Sequence, residues 1–267
     1  DGDSALKDIN AILDGAAKAN ASPEELGLAY AIRGDVLLQR GATMEAGKAY
    51  DEALKSDSRS IAALVGRGEA FFRDGRYAEA LARFDTAVDA DKTSTRAIAG
   101  DAKTKIQLER LADAKTQLAE SRVKYPKDWQ IAYWLGQAEI ALGNKKAAEA
   151  ELRSAVELVD PTDDDAVVPF VGLSSFLAGQ GRAGDAEKVL EEAQKKLPDS
   201  ALMQRAVGQV AAVQADYDKA IAHFRLALEK DPKDHATRFQ LAVTLRRIHR
   251  FDESSAEFEK IAAADSK

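Results

Sequence analysis

The sequence predicts an all-α fold, an open solenoid of helix–turn–helix units, and three observations carry that prediction. A skeleton of landmark residues returns every 34 residues along most of the 267-residue chain. Every strong apolar period is that of a helix, with spacings of three and four residues. Glycines mark the turn inside a unit, and Ser or Asp stands immediately before the next one.

Residues 61–94 display the unit in full. Two amphipathic helices meet at Gly75, and the small residues Gly68 and Ala80 fall where the helices cross closely. The small residue of the first helix is Gly34, Gly68, Ala102, Gly136, Ser174, Gly208 and Ala242, with intervals of 34 except for the 38 before Ser174. The second helix keeps the same beat in Ala46, Ala80, Ala114, Ala148, Ala186, Ala220 and Ser254. A large apolar residue follows four positions on, and a small or apolar one three further. The pairs are Tyr50/Ala53, Phe84/Ala87, Leu118/Ser121, Leu152/Ala155, Leu190/Ala193, Phe224/Ala227 and Phe258/Ile261. These spacings put all three residues on one buried helical face. In these positions the sequence resembles the tetratricopeptide repeat (TPR) family over nearly its whole length. The resemblance implies a right-handed α-solenoid whose first helices line a concave groove.

In chain order, residues 1–26 form an incomplete repeat in which Ala5, Ile9 and Ile12 reproduce the spacing of a second helix, and Asp14-Gly15 is expected to end it. Ser22, Pro23, Glu24 and Glu25 then give a strong helix start, so the first helix of the first full repeat should be longer than the others. Seven repeats are expected at 27–60, 61–94, 95–128, 129–162, 167–200, 201–234 and 235–267. Ser60, Ser94, Asp128, Ser200 and Asp234 are their N-caps, and Gly41, Gly75, Gly143 and Gly181 their left-handed turns. Pro126, Pro198 and Pro232 stop second helices. Asp163, Asp164, Asp165 and Ala166 are the one insertion within the array. The last repeat is expected to lack a polar capping helix, and a chain beginning at Asp1 is expected to be a processed or excised soluble segment.

Composition narrows the function. Hydrophobic residues at 45% suffice for a core, and a net charge of -7 argues against a nucleic-acid partner. The absence of cysteine excludes disulfides, thiolate catalysis and cysteine-ligated metals. The longest uncharged stretch, 166–181, is too short and interrupted to insert in a membrane.

Motifs that suggest chemistry have simpler structural readings. Gly179-Gln180-Gly181-Arg182-Ala183-Gly184 matches a dinucleotide fingerprint but spans a helix–helix turn with no strand before it. The acidic stretch Asp160–Asp165 lacks the ligand alternation of a calcium loop and is expected to be a linker that caps the following helix. His223, His235 and His249 share no ligand spacing, and Ser174-Ser175 is not a nucleophile elbow. No enzyme activity, cofactor or metal is expected.

What remains is a surface. The resemblance implies that positions two, five, nine, twelve and thirteen of each repeat face the groove. On this chain they include Asp35 and Glu69, then the basic residues Arg73, Arg96 and Lys103. Gln130, Tyr133, Gln137 and the adjacent Trp134 follow. After these come the uncharged Val168, Val171, Ser175 and Ala178, and then Arg205, Gln209, Phe239, Arg246 and Arg247. The expectation is a scaffold that binds a protein or peptide segment, acidic beside an apolar anchor, with Tyr133 as an exposed aromatic contact. Trp134 is evenly divided between core and groove. The alternative is a structural subunit that self-associates through its uncapped ends.

Overall fold

The computed structural model describes residues 2–18 and 21–265. Among the described residues there are fifteen α-helices and no strand. They are α1 (Gly2–Lys18), α2 (Pro23–Gln39), α3 (Thr43–Ser56), α4 (Ile61–Arg73), α5 (Tyr77–Ala90), α6 (Thr95–Gln107), α7 (Leu111–Lys124) and α8 (Trp129–Ala141). Then come α9 (Lys145–Leu158), α10 (Val167–Gly179), α11 (Ala183–Lys196), α12 (Ala201–Val213), α13 (Tyr217–Lys230), α14 (His235–Arg247) and α15 (Phe251–Asp265). From α2 onward, even-numbered helices are the first and odd-numbered helices the second of each repeat.

Local chemistry explains the boundaries. At α2, Glu25 N donates to the Ser22 hydroxyl at 3.2 Å and Ser22 N donates to the Glu25 carboxylate at 2.8 Å, a reciprocal capping box. Ser60, Ser94, Asp128, Ser200 and Asp234 each accept a backbone N–H three residues on, at 3.0–3.4 Å. The α2 helix runs 17 residues against 13 in α4, as its start signal predicts. Gly41, Gly75, Gly143 and Gly181 take φ of +72 to +78°, which L side chains resist. Glu109, Ala215 and His249 hold the same left-handed turn at φ 58, 61 and 63° without being glycine.

The small-residue ladder is a packing ladder. Ala46, Ala80, Ala114, Ala148, Ala186 and Ala220 are each 0% exposed, and Ser254 is 3% exposed. The large residues four positions on press against first-helix glycines. A Cβ added at Gly66 would lie 2.3 Å from the Tyr50 ring, and one at Gly208 2.7 Å from the Phe224 ring. A side chain at either position would force the facing ring to move.

Three expectations are corrected. Asp14-Gly15 does not end α1, which continues to Lys18. A glycine inside a helix costs only about 1 kcal/mol relative to alanine, and nothing lies within 4 Å of the place a Gly15 Cβ would occupy. The buried face of α1 is Leu6, Ile9 and Leu13, packed on Leu26, Ala29 and Tyr30, while Ala5 and Ile12 are exposed. Leu6 and Leu13 satisfy the same three-and-four spacing and offer more apolar area than Ala5. Finally, no side chain from the acidic linker caps α10, whose N-cap is Ala166. The linker instead folds onto itself. Asp160 accepts from the Thr162 backbone at 2.8 Å and hydroxyl at 2.7 Å, and Asp163 accepts from Asp165 N at 2.9 Å.

The backbone divides into two compact units, residues 1–148 and 149–267.

Candidate partner-binding surface

In the first unit α2, α4, α6 and α8 pack side by side in sequence, so their outward positions form one surface. Its charges are mostly paired. Glu69 forms a short ion pair with Lys103, one repeat further on, and lies 3.5 Å from Arg73 Nε. Burial pushes the Glu69 carboxyl up, but Lys103 and Arg73 outweigh it and hold the group below its ordinary value. The Lys103 ammonium also sits 4.2 Å over the Phe72 ring, and Arg73 Nη1 donates to the Leu38 carbonyl at 2.7 Å. Asp35 accepts from the Tyr50 hydroxyl at 2.6 Å, and burial followed by that carboxylate holds the phenol well above its ordinary range. Arg96 is exposed and has no ion pair among the described residues.

Tyr133 is not an exposed contact; it is 8% exposed. The reason is its register position, held in earlier repeats by Ala31, Val65 and Ala99, all at most 4% exposed. This position is buried in each of these four first helices. Gln137 donates to the Tyr133 hydroxyl at 2.8 Å, and Trp134 meets the ring edge-on at 5.1 Å. Trp134 is half-buried against a core of Ile98, Leu118, Ile131 and Leu135. Gln130 and Gln137 are half-buried.

The second unit differs. Val168, Val171 and Ala178 are half-buried on α10 and Ser175 is exposed. Arg205 pairs with Asp234 at 3.1 Å, and Gln209 donates to Gln240 at 3.2 Å, which ties α12 to α14. On α14 Phe239 and Val243 are 54% and 41% exposed, and Arg246 is exposed with no ion pair among the described residues. Spacings of four and three set these three on one helical face. Beyond Gln209, Val213 on α12 is exposed as well. Arg247 reaches Tyr217, its guanidinium 5.9 Å from the ring centre.

Val213 and Val243 occupy groove positions thirteen and nine of the repeats at 201–234 and 235–267, but were not singled out from sequence. Val243 is apolar at the position where earlier repeats carry Asp35, Glu69 and Lys103. Also missed was an arginine before four second helices that pairs three residues on. The pairs are Arg76–Glu79 at 2.7 Å, Arg110–Asp113 at 2.8 Å, Arg182–Asp185 at 2.8 Å and Arg250–Glu253 at 2.6 Å. Arg182 also reaches back to Glu149 at 2.8 Å, bracing α9 to the turn before α11.

Residues of the chemistry-like motifs take structural positions. Gly179 to Gly184 runs from the end of α10 into α11, a helix–turn–helix corner. His235 and His249 are exposed, and the half-buried His223 has Nδ1 2.6 Å from Gln204 Oε1. Gln204 donates its own amide to Asp199 at 2.6 Å, so the Nδ1 of His223 carries the proton. Among the described residues no group of three or more His, Cys, Asp or Glu could hold a metal ion, and no helix is long and apolar enough to cross a membrane.

Stacked helix pairs with this ladder define a repeat protein of the helix–turn–helix class. Family models described as tetratricopeptide repeat match residues 33–95, 102–165 and 177–235, and a second such model matches 71–130 and 214–267. The chain therefore belongs to the tetratricopeptide repeat family. It is similar in fold to a tetratricopeptide repeat protein from Parabacteroides merdae, with 18% identity, TM-score 0.70, and coverage of 92% of this chain and 93% of that one. It is also similar to TTC0263, a thermophilic TPR protein of Thermus thermophilus, with 22% identity, TM-score 0.62 and coverage of 70% and 99%. A third similar structure is the APC/C hetero-tetramer Cut9–Hcn1, with 15% identity, TM-score 0.67 and coverage of 87% of this chain and 45% of that one. The chain matches no curated protein.

Proposed function

We propose that this chain is a non-enzymatic scaffold that binds an acidic, apolar-anchored protein segment on the first-helix face of its last two repeats. The observation that carries the reading is the exposed row Phe239, Val243 and Arg246 on α14. An aromatic and an aliphatic residue would supply the contact area, and Arg246 the attraction for a carboxylate. Arg205 and Gln209 at the edge of the row are held in place by Asp234 and Gln240, so little side-chain freedom is lost on binding. The paired charges of the first unit make Arg73 and Lys103 weaker candidates than a basic groove would imply, and Arg96 remains the one of the three without an ion pair among the described residues. The test is capture of partners from native extract by the parent and by Phe239→Ala and Arg246→Glu variants, at low and high salt. Loss with Phe239→Ala at both salts, and with Arg246→Glu mainly at low salt, supports the reading. Equal capture by all three rejects it.

A second reading rests on α15. Phe258 is half-buried, whereas its equivalents Tyr50, Phe84 and Phe224 are at most 1% exposed. A second copy of the chain covering Phe258 and Ile261 would restore that burial. Light scattering that gives a concentration-independent monomer mass rejects this reading.

A further inference from the structure

One buried carboxylate lies outside the proposed surface, and its environment departs from the repeat pattern. In the preceding repeat Asp51 on α3 pairs with Arg67 on α4 at 2.9 Å, sixteen residues apart. The equivalent pair one repeat on is Asp85 on α5 and Asp101 on α6, again sixteen apart, so an acid stands where the arginine stood. Asp101 is 0% exposed. Its Oδ2 accepts from Lys105 Nζ at 2.6 Å, and Lys105 is held in turn by Gln117 on α7 at 3.0 Å. Its Oδ1 is buried without a hydrogen-bond partner among the described residues, and Asp85, an exposed residue, holds its carboxyl within hydrogen-bonding reach of Asp101. Two ionised carboxylates offer four acceptor oxygens and no donor, whereas a protonated carboxyl offers an O–H.

We propose that a proton on Asp85 bridges it to Asp101 across the α5–α6 contact, so that this joint tightens as the pH falls. The proton completes what the arginine completes in the preceding repeat: Asp85 O–H donates to the orphaned Oδ1, while Oδ2 stays with Lys105. The groups facing Asp85 are Asp101 and Lys105 on α6 and Arg110 in the turn before α7. Asp85 is itself exposed, yet the partial desolvation of its carboxyl against α6, and then Asp101, push it up, and Lys105 and Arg110 only partly offset them. With its folded value raised above the unfolded one, Asp85 favours folding below the unfolded value. That contribution is lost as the pH rises through the folded value.

The test is a pH series of thermal melts on the whole chain and its Asp85→Asn variant, whose amide supplies the missing donor at every pH. The variant is expected to melt above the parent near pH 7.5, with the difference closing toward about pH 4. Asp51→Asn, which breaks an opposite-charge pair, is expected to shift the neutral-pH melt the other way. A variant Asp85→Asn that melts at or below the parent near neutral pH overturns the proposal. A carboxyl-carbon NMR titration of Asp85 in the parent should give a midpoint above the ordinary value of about 3.9, and a midpoint at or below it overturns the proposal independently. Calcium or magnesium that raises the neutral-pH melt of the parent but not of the variant would show a metal ion, not a proton, between the carboxylates.

Discussion

Replacing Gly100 with alanine measures how tightly the ladder is packed. The added Cβ would lie 2.3 Å from Phe84 Cε1, 2.6 Å from Cδ1 and 2.7 Å from Cζ. Phe84 is 1% exposed, enclosed by Leu64, Val65, Ala87 and Ala97, so its ring cannot step aside without moving a neighbour. Overpacking of this kind costs about 1–3 kcal/mol. Alanine in a helix interior returns about 1 kcal/mol over glycine, which leaves a net loss of about 0–2 kcal/mol. Gly15→Ala makes the same exchange with nothing within 4 Å, so it keeps the propensity gain alone. The two variants should therefore differ by about 1–3 kcal/mol in urea unfolding followed by circular dichroism. Equal stability of the two variants would refute the argument, because the Phe84 ring would then not be pinned against α6.

Three further outcomes follow from the same structure. Because Lys103 and Arg73 hold Glu69 low, its contribution is present above the ordinary carboxyl range and lost as the pH falls through the lowered value. Glu69→Gln should thus melt below the parent at neutral pH, and the gap should vanish in strong acid. Ala215→Gly should stabilise by about 0.5–1 kcal/mol and Gly75→Ala destabilise by about 1–2 kcal/mol in urea titrations, since both residues sit at positive φ. The double variant Asp163→Asn/Asp165→Asn should melt like the parent with or without calcium, and a calcium-dependent rise confined to the parent would contradict the linker assignment.

The fold was legible because each level of the sequence agreed. The landmark alanines, the turn glycines and the five N-cap residues all stand where the structure uses them. Legibility fell where two residue sets satisfied one period, as on α1, where Leu6, Ile9 and Leu13 won over Ala5, Ile9 and Ile12. The surface was less legible. Family positions say which way a side chain points from its helix, but not how deeply its neighbours bury it, and Tyr133 is buried, with Trp129, Trp134 and Gln137 around its ring. Charge pairing across repeats was also hidden. Glu69 and Lys103 stand 34 residues apart, and nothing local in the sequence joins them.

The central claim is that a partner lies on the first helices of the last two repeats. The direct measurement is hydrogen–deuterium exchange of the chain with and without its captured partner. The account predicts slowed exchange in α12 and α14, centred on Gln209, Val213, Phe239 and Val243, and no such slowing with Phe239→Ala. Protection confined to second helices, or to α15 alone, would contradict it.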